Sequence, residues 1–308
     1  MRPASMTISN QVAGTSRVAT FVVVAALAAG LAGCGGTSSE ASAPAAPSPP
    51  TSASPGESGD GRFVGTVTIG STSLFGDALL TVDGSLRLYV GGPYESTGAL
   101  QLDKPDGSAQ FVGEVSAQGQ HVSGSGMAIG QRCVLPASDR FCDEPAPAEV
   151  RLTVRSDEAR GEIEVTTRKG VETWTLNLQA WSNYYALPAR REDLSGQFQE
   201  DLAEFAQDGD TILSVDDAGQ LFFQSAGSGC TGNGIASPHL DGNVNVYKVA
   251  LTIASCDAPY THLNGEFEGL ATTTPGSYWD YDSFLRVWLS TSDPSAPPEA
   301  ITMLAAPR

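Results

Sequence analysis

The chain has 308 residues, and its 35 acidic residues against 17 lysines and arginines give a formal net charge of −18 at pH 7. Lys104, Lys169 and Lys248 are its only lysines. Because so acidic a chain repels phosphate groups, the composition excludes nucleic acid and anionic lipid surfaces as favoured partners.

The N-terminal segment has the three parts of a secretory signal. Arg2 and Arg17 supply the positive charge, residues 18–31 are almost wholly apolar, and small residues follow. A run of 14 residues is shorter than the roughly 20 that a membrane-spanning helix needs. The segment therefore predicts an export signal rather than a membrane span.

The sequence Leu31-Ala32-Gly33-Cys34 closes this segment. A large aliphatic residue, two small residues and a cysteine resemble the lipobox of bacterial lipoproteins. The resemblance implies that residues 1–33 are a lipoprotein signal peptide and that Cys34 becomes the lipidated first residue. The alternative is an ordinary cleaved signal, in which Cys34 has no special role.

The same resemblance implies an attachment to the cell envelope through lipid. Gly35 follows the cysteine where an aspartate would favour retention in the inner membrane. We therefore expect the outer membrane if the host is Gram-negative, and otherwise the outer face of the cytoplasmic membrane.

The linker after Cys34 runs to residue 61 and is rich in Pro, Ser, Gly and Ala. It contains no aromatic and no large aliphatic residue, so it cannot bury enough apolar surface to fold. We expect residues 34–61 to act as a disordered tether.

Four further cysteines follow the tether, at Cys133, Cys142, Cys230 and Cys256. An even number in an oxidising compartment predicts two disulfides, of which three pairings are possible. Cys133 with Cys142 and Cys230 with Cys256 is the favoured pairing because each bond then lies within one domain. A zinc site is the alternative, but no C-x-x-C spacing supports it, and we expect neither a metal nor a cofactor.

An internal repeat divides the rest of the chain into a first domain at 62–187, a linker at 188–192 and a second domain at 193–308. Five matches occur in the same order in both halves. They pair 61–63 with 196–198, 77–83 with 210–216, 96–98 with 230–232, 121–124 with 262–265, and 151–154 with 286–289.

Apolar and polar residues alternate with period two in both halves, as Val150, Leu152 and Val154 do with Arg151 and Thr153. This pattern predicts antiparallel strands with one buried and one exposed face. The fold class is therefore all-β, with two tandem antiparallel β-barrels or sandwiches. Gly-x-Phe at the start of each half, followed by successive hairpins, resembles the meander of lipocalin-type barrels, whose first strand carries Gly-x-Trp.

Two groups of residues are candidates for chemistry. His121 and His262 occupy matching places in the repeat, either as paired ligands or bases or as an inherited structural position, and the second interpretation is favoured because no carboxylate lies at ligand spacing around both. Tyr278, Trp279, Asp280 and Tyr281 combine three rings with one acid, which suits a sugar or a peptide. The alternative is a loop whose rings cover a barrel mouth.

These observations predict a non-enzymatic envelope lipoprotein with a structural or binding role. Its expected partners are the membrane, through the anchor, and an envelope protein, a glycan or a small apolar molecule. A carrier of a small apolar ligand inside one barrel is the first alternative, and an envelope hydrolase is the second.

Overall fold

A computed structural model describes residues 60–93, 108–131, 145–181, 185–200, 211–275 and 283–307. Within these ranges no helix combines the length and the apolar character that crossing a bilayer requires. The described elements are strands joined by turns and by short 3₁₀ helices at Arg191–Asp193, Leu240–Gly242 and Tyr260–Leu263.

The first eight strands form one closed antiparallel barrel, in which each strand pairs with the next. Strand β8 returns to pair with β1, placing Trp174 opposite Ile69 and Ala180 opposite Phe63. The strands are β1 (Gly61–Ile69), β2 (Thr72–Leu80), β3 (Ser85–Pro93), β4 (Ser108–Gln118), β5 (His121–Gln131), β6 (Ala146–Val154), β7 (Glu158–Thr167) and β8 (Gly170–Ala180).

The next eight strands form a second closed barrel with the same up-and-down order. Strand β16 closes it against β9, where Pro307 lies opposite Phe198. Its strands are β9 (Gly196–Glu200), β10 (Thr211–Val215), β11 (Gln220–Ser225), β12 (Thr231–Pro238), β13 (Tyr247–Ala254), β14 (Gly265–Pro275), β15 (Ser283–Thr291) and β16 (Ala300–Pro307). The predicted all-β fold of two tandem barrels is confirmed, and the choice between barrel and sandwich is resolved.

Side chains fill the interior of each barrel where the structure describes it. The apolar cluster of the first barrel includes Phe111, Trp174 and Leu178, and all its buried members expose 7% or less of their surface. The second barrel has a corresponding cluster that includes Phe223, Leu251 and Val287. An eight-stranded barrel is just wide enough for side chains to occupy it in this way.

The repeat matches agree with the strand order only in part. Residues 61–63 and 196–198 both lie on the first strand of a barrel, and 77–83 and 210–216 both overlap the second. His121 opens the fifth strand of its barrel, whereas His262 precedes the sixth strand of the other, and Arg151 and Arg286 lie on a sixth and a seventh strand. The expected equivalence of the matches at 121–124 and 151–154 is wrong, because similar alternation recurs on every strand and permits a slip of one strand. Residues 96–98 lie outside the described ranges.

Several strands are buried on both faces, contrary to the expected exposed polar face. Residues 77–80 of β2, 285–289 of β15 and 300–303 of β16 are buried without interruption. Outward side chains of β2 and β15 pack with those of the neighbouring β3 and β14 in one cluster. It contains Leu79 and Tyr89 from the first barrel and Leu270 and Trp288 from the second. The two barrels thus belong to one compact unit and bury part of their outer walls against each other.

Candidate functional site

Most sequence-predicted site residues lie outside the described ranges. These are Cys34, Cys133, Cys142 and the aromatic loop with Tyr278, Trp279, Asp280 and Tyr281. The predicted pair of Cys230 and Cys256 is confirmed as a disulfide. It joins the start of β12 to the segment after β13, and on the chain-entropy model a loop of 26 residues contributes about 3.5 kcal/mol to stability.

The two histidines of the predicted pair are exposed and lie in different barrels. His121 is the first residue of β5, and His262 lies in the 3₁₀ helix before β14, where its Nδ1 is 3.0 Å from the Pro259 carbonyl oxygen. Within the described ranges no three His, Cys, Asp or Glu side chains converge as metal ligands.

The main polar cluster lies between the barrels and was missed by the sequence analysis. Arg62 donates from Nε to Asp77 Oδ1 at 3.0 Å and from Nη2 to Oδ2 at 2.9 Å. Arg286 of the second barrel places its Nε 3.2 Å from the same Asp77 Oδ2. Arg62 also donates from Nη1 to Thr274 Oγ1 at 2.9 Å. One carboxylate therefore joins two arginines across the interface, which we call the arginine clamp.

Aromatic rings enclose the arginine clamp. The Arg286 guanidinium lies 4.6 Å from the Tyr89 ring centre, and Arg62 lies 5.7 Å from Trp288 and 5.8 Å from Trp181. Cations over ring faces gain more from this attraction when water is excluded. Because arginine keeps its proton in proteins, Arg62 and Arg286 remain charged and hold the Asp77 carboxylate across the interface.

Two further polar contacts cross the same interface. Thr302 Oγ1 donates to Gln110 Oε1 at 3.1 Å, and His239 Nε2 lies 3.1 Å from Asp83 Oδ2. Partial burial acts to raise the pKa of Asp83, but the Thr81 hydroxyl and the His239 charge outweigh it, so that this pKa lies below its ordinary value. These two contacts and the arginine clamp lie at separate places in the interface, and together they fix the orientation of one barrel relative to the other.

The segment between the barrels is anchored by two buried tyrosines. Burial, and then the neighbouring Asp60 carboxylate, raises the pKa of Tyr185. The Tyr247 hydroxyl donates to the Arg190 carbonyl oxygen at 2.8 Å and accepts from the Arg190 amide at 3.0 Å. Burial raises the pKa of Tyr247 to about 12.

Tyr247 is expected to make the folded state sensitive to alkali. Its ordinary pKa is 10.0 and its folded value is about 12, so the unfolded chain loses this proton first. The tyrosine's contribution to stability is therefore complete below pH 10 and falls as the pH rises toward 12. We expect Tyr247→Phe to reduce the alkaline loss of stability in urea titrations across this window. Tyr260→Phe is the control. If the free energy of unfolding fell equally steeply with pH in both variants, Tyr247 would not be the group responsible for the alkaline loss.

The outer wall of the first barrel is strongly charged along β6–β8. Arg151 bonds Glu149 and Glu164 at 3.1 Å each, and Arg160 bonds Glu158 at 2.8 Å. A shallow cleft of about 500 Å³ crosses this wall. Its two arginines, Arg151 and Arg160, already have carboxylate partners, so neither is free to pair with an anionic ligand.

The outer wall of the second barrel differs along β9–β12. No residue of β10, β11 or β12 is charged. Two large apolar side chains lie exposed there, Phe222 at 52% and Ile235 at 47%. We call the outward side chains of these strands the neutral face; they are Gln197, Gln199, Ile212, Ser214, Gln220, Phe222, Gln224, Thr231, Asn233 and Ile235.

The neutral face is the candidate site that the described residues favour. Titratable groups, cysteines and clustered rings are the sequence signals of a site, and amide side chains on a strand give none of them. The absence of charge over three successive strands of so acidic a chain was the feature that could have located it. Comparison with protein-family models, with curated proteins and with solved structures found no match.

Proposed function

We propose that the protein is exported, is anchored to the cell envelope by lipid on Cys34, and serves as a non-enzymatic binding module. The observation that carries this proposal is the sequence Leu31-Ala32-Gly33-Cys34 directly after a short apolar run. The Cys230–Cys256 disulfide supports it, because such bonds persist mainly in exported proteins.

The architecture supports a binding role at the outer surface rather than inside a barrel. The core side chains occupy the described interior of each barrel, which weighs against the alternative of an apolar-ligand carrier. The hydrolase alternative gains no support from the arginine clamp, whose one carboxylate, on Asp77, is buried and already engaged by two arginines. A rigid pair of barrels is instead suited to presenting a fixed outer face to a partner.

The anchor is tested by metabolic labelling of the full chain with radioactive palmitate in a bacterial host that processes lipoproteins. We expect the wild-type chain to carry label and to sediment with membranes. Cys34→Ala should reduce the label to background, because no other residue matches the lipobox position.

Ser38→Ala is the matched control, since it changes a residue close to Cys34 and leaves 31–34 intact. It should label like the wild-type chain. Label that persists in Cys34→Ala, or a wild-type chain that carries none, would overturn the anchor.

A further inference from the structure

The neutral face has a central ring surrounded by polar side chains. Phe222 lies opposite Ser214 on one neighbouring strand and opposite Asn233 on the other. Gln220 and Gln224 lie two residues before and after it on β11, on the same side of the sheet. Neighbouring strands are about 4.8 Å apart, so all four polar groups border the exposed ring.

The amide groups around this ring are available to a ligand. Within the part of the chain that the structure describes, the side chains of Gln197, Gln220, Gln224 and Asn233 form no hydrogen bond with protein. A carboxamide donates and accepts in one plane. Its N–H can therefore donate a hydrogen bond to one hydroxyl group of a ligand while its carbonyl oxygen accepts one from a neighbouring hydroxyl.

The charge pattern excludes ionic partners from this face. Strands β6–β8 of the first barrel contain seven charged residues, whereas β10–β12 contain none. A cationic partner would prefer the acidic remainder of the molecule. An anionic partner such as nucleic acid would find no lysine or arginine on β10–β12, and only Lys248 on the neighbouring β13.

The composition also disfavours a protein partner. The residues that contribute most binding energy in protein interfaces are Trp, Tyr and Arg, and the neutral face has none of them. Its two exposed apolar side chains are too few to drive insertion into a bilayer. An exposed phenyl ring bordered by amides and hydroxyls is instead suited to a sugar ring, whose C–H face packs on the phenyl group while its hydroxyls bond the rim.

We propose that the neutral face binds an uncharged polysaccharide, with Phe222 under one sugar ring and Gln220, Gln224 and Asn233 bonding its hydroxyls. This inference rests on the proposed function in assuming a binding module, and it names the class of partner. A loss of the lipid anchor would leave this face unchanged, so the labelling experiment and the binding experiment fail independently.

The test is affinity electrophoresis of the detergent-extracted full chain through native gels that contain dextran, mannan, galactan or soluble β-glucan. We expect at least one of these neutral polysaccharides to retard the wild-type protein. Phe222→Ala, and separately Gln220→Ala with Gln224→Ala, should weaken the binding constant derived from retardation by about tenfold. All three positions are exposed, so near-ultraviolet circular dichroism should confirm that the variants fold.

Val171→Ala is the matched control, because Val171 is 65% exposed on the outer wall of the first barrel. It should be retarded like the wild-type chain. Retardation by none of the four polysaccharides, retardation that survives Phe222→Ala, or preferential retardation by an anionic polysaccharide such as pectate would overturn the proposal. Self-association in sedimentation that Phe222→Ala abolishes would also overturn it, because a second copy of the chain would then cover the face.

Discussion

Replacing Asp77 by alanine is expected to lower the free energy of unfolding by about 3 to 5 kcal/mol. The Asp77 side chain is only 3% exposed and contacts both Arg62 and Arg286. Its removal leaves two buried guanidinium groups without their shared carboxylate, and an uncompensated buried charge is among the most destabilising changes in proteins. Urea denaturation followed by tryptophan fluorescence measures the loss.

Glu149→Ala is the control for this change, because it removes a carboxylate that bonds Arg151 on the exposed wall of the same barrel. Exposed ion pairs contribute roughly 0 to 1 kcal/mol, so this variant should remain close to the wild-type chain. A triple variant with Arg62→Met, Asp77→Leu and Arg286→Met tests the explanation further. It should recover most of the stability that Asp77→Ala loses, since apolar side chains can replace a buried ion cluster. A loss below about 1 kcal/mol in Asp77→Ala would show that the arginine clamp is not energetically coupled.

The strands and their inward faces could be predicted from the sequence because burial on one side imposes a period of two. Val150, Leu152 and Val154 alternate with exposed or half-buried neighbours, as expected for a wall between core and water. The disulfide between Cys230 and Cys256 could likewise be predicted, since both cysteines lie in one half of the chain.

The interface between the barrels could not be predicted in this way. Period-two alternation shows which residues face the interior, but it does not show whether the opposite face meets water or a second barrel. Asp77, Arg62 and Arg286 are charged residues at outward positions, which is also the pattern of a solvent-exposed wall. Burial on both sides is indicated only by unbroken apolar runs such as 78–80 and 287–289. A run of three residues is too short to distinguish a strand buried on both faces from one with an exposed face.

The neutral face could not be predicted from the sequence for a different physical reason. Sequence motifs for chemistry depend on titratable or metal-binding groups at fixed spacing, as in the search around His121 and His262. The neutral face contains neither, and its residues come together because β10, β11 and β12 are neighbours in the barrel. Strand register decides which amide side chains lie beside the Phe222 ring. The register can be read from the sequence only when the turns between the strands are known.

Leu79→Asp is expected to separate the barrels without unfolding them. Leu79 has no exposed surface and belongs to the inter-barrel cluster with Leu270 and Trp288. Arg62 and Arg87 lie opposite this position on β1 and β3, but Arg62 already bonds Asp77. The Asp77 carboxylate lies on the same face of β2 two residues earlier and repels a second one, so burying the new charge costs about 3 kcal/mol. Each barrel keeps its own core cluster, so opening the interface to hydrate the new charge costs less free energy than unfolding a barrel. We expect the radius of gyration in small-angle X-ray scattering to increase, while far-ultraviolet circular dichroism retains its β-sheet signal.

Val82→Asp provides the matched control, because Val82 lies three residues further along the chain and is 58% exposed. The same new charge should leave both the radius of gyration and the unfolding midpoint close to those of the wild-type chain. Loss of the β-sheet signal in Leu79→Asp would mean that the first barrel depends on its neighbour for folding, so that the interface acts as part of one shared core. An unchanged radius of gyration with full stability would instead show that Leu79 is not enclosed between the barrels. These outcomes separate a docked pair of independently folded barrels from a single cooperative unit, since only the former can open its interface and keep its strands.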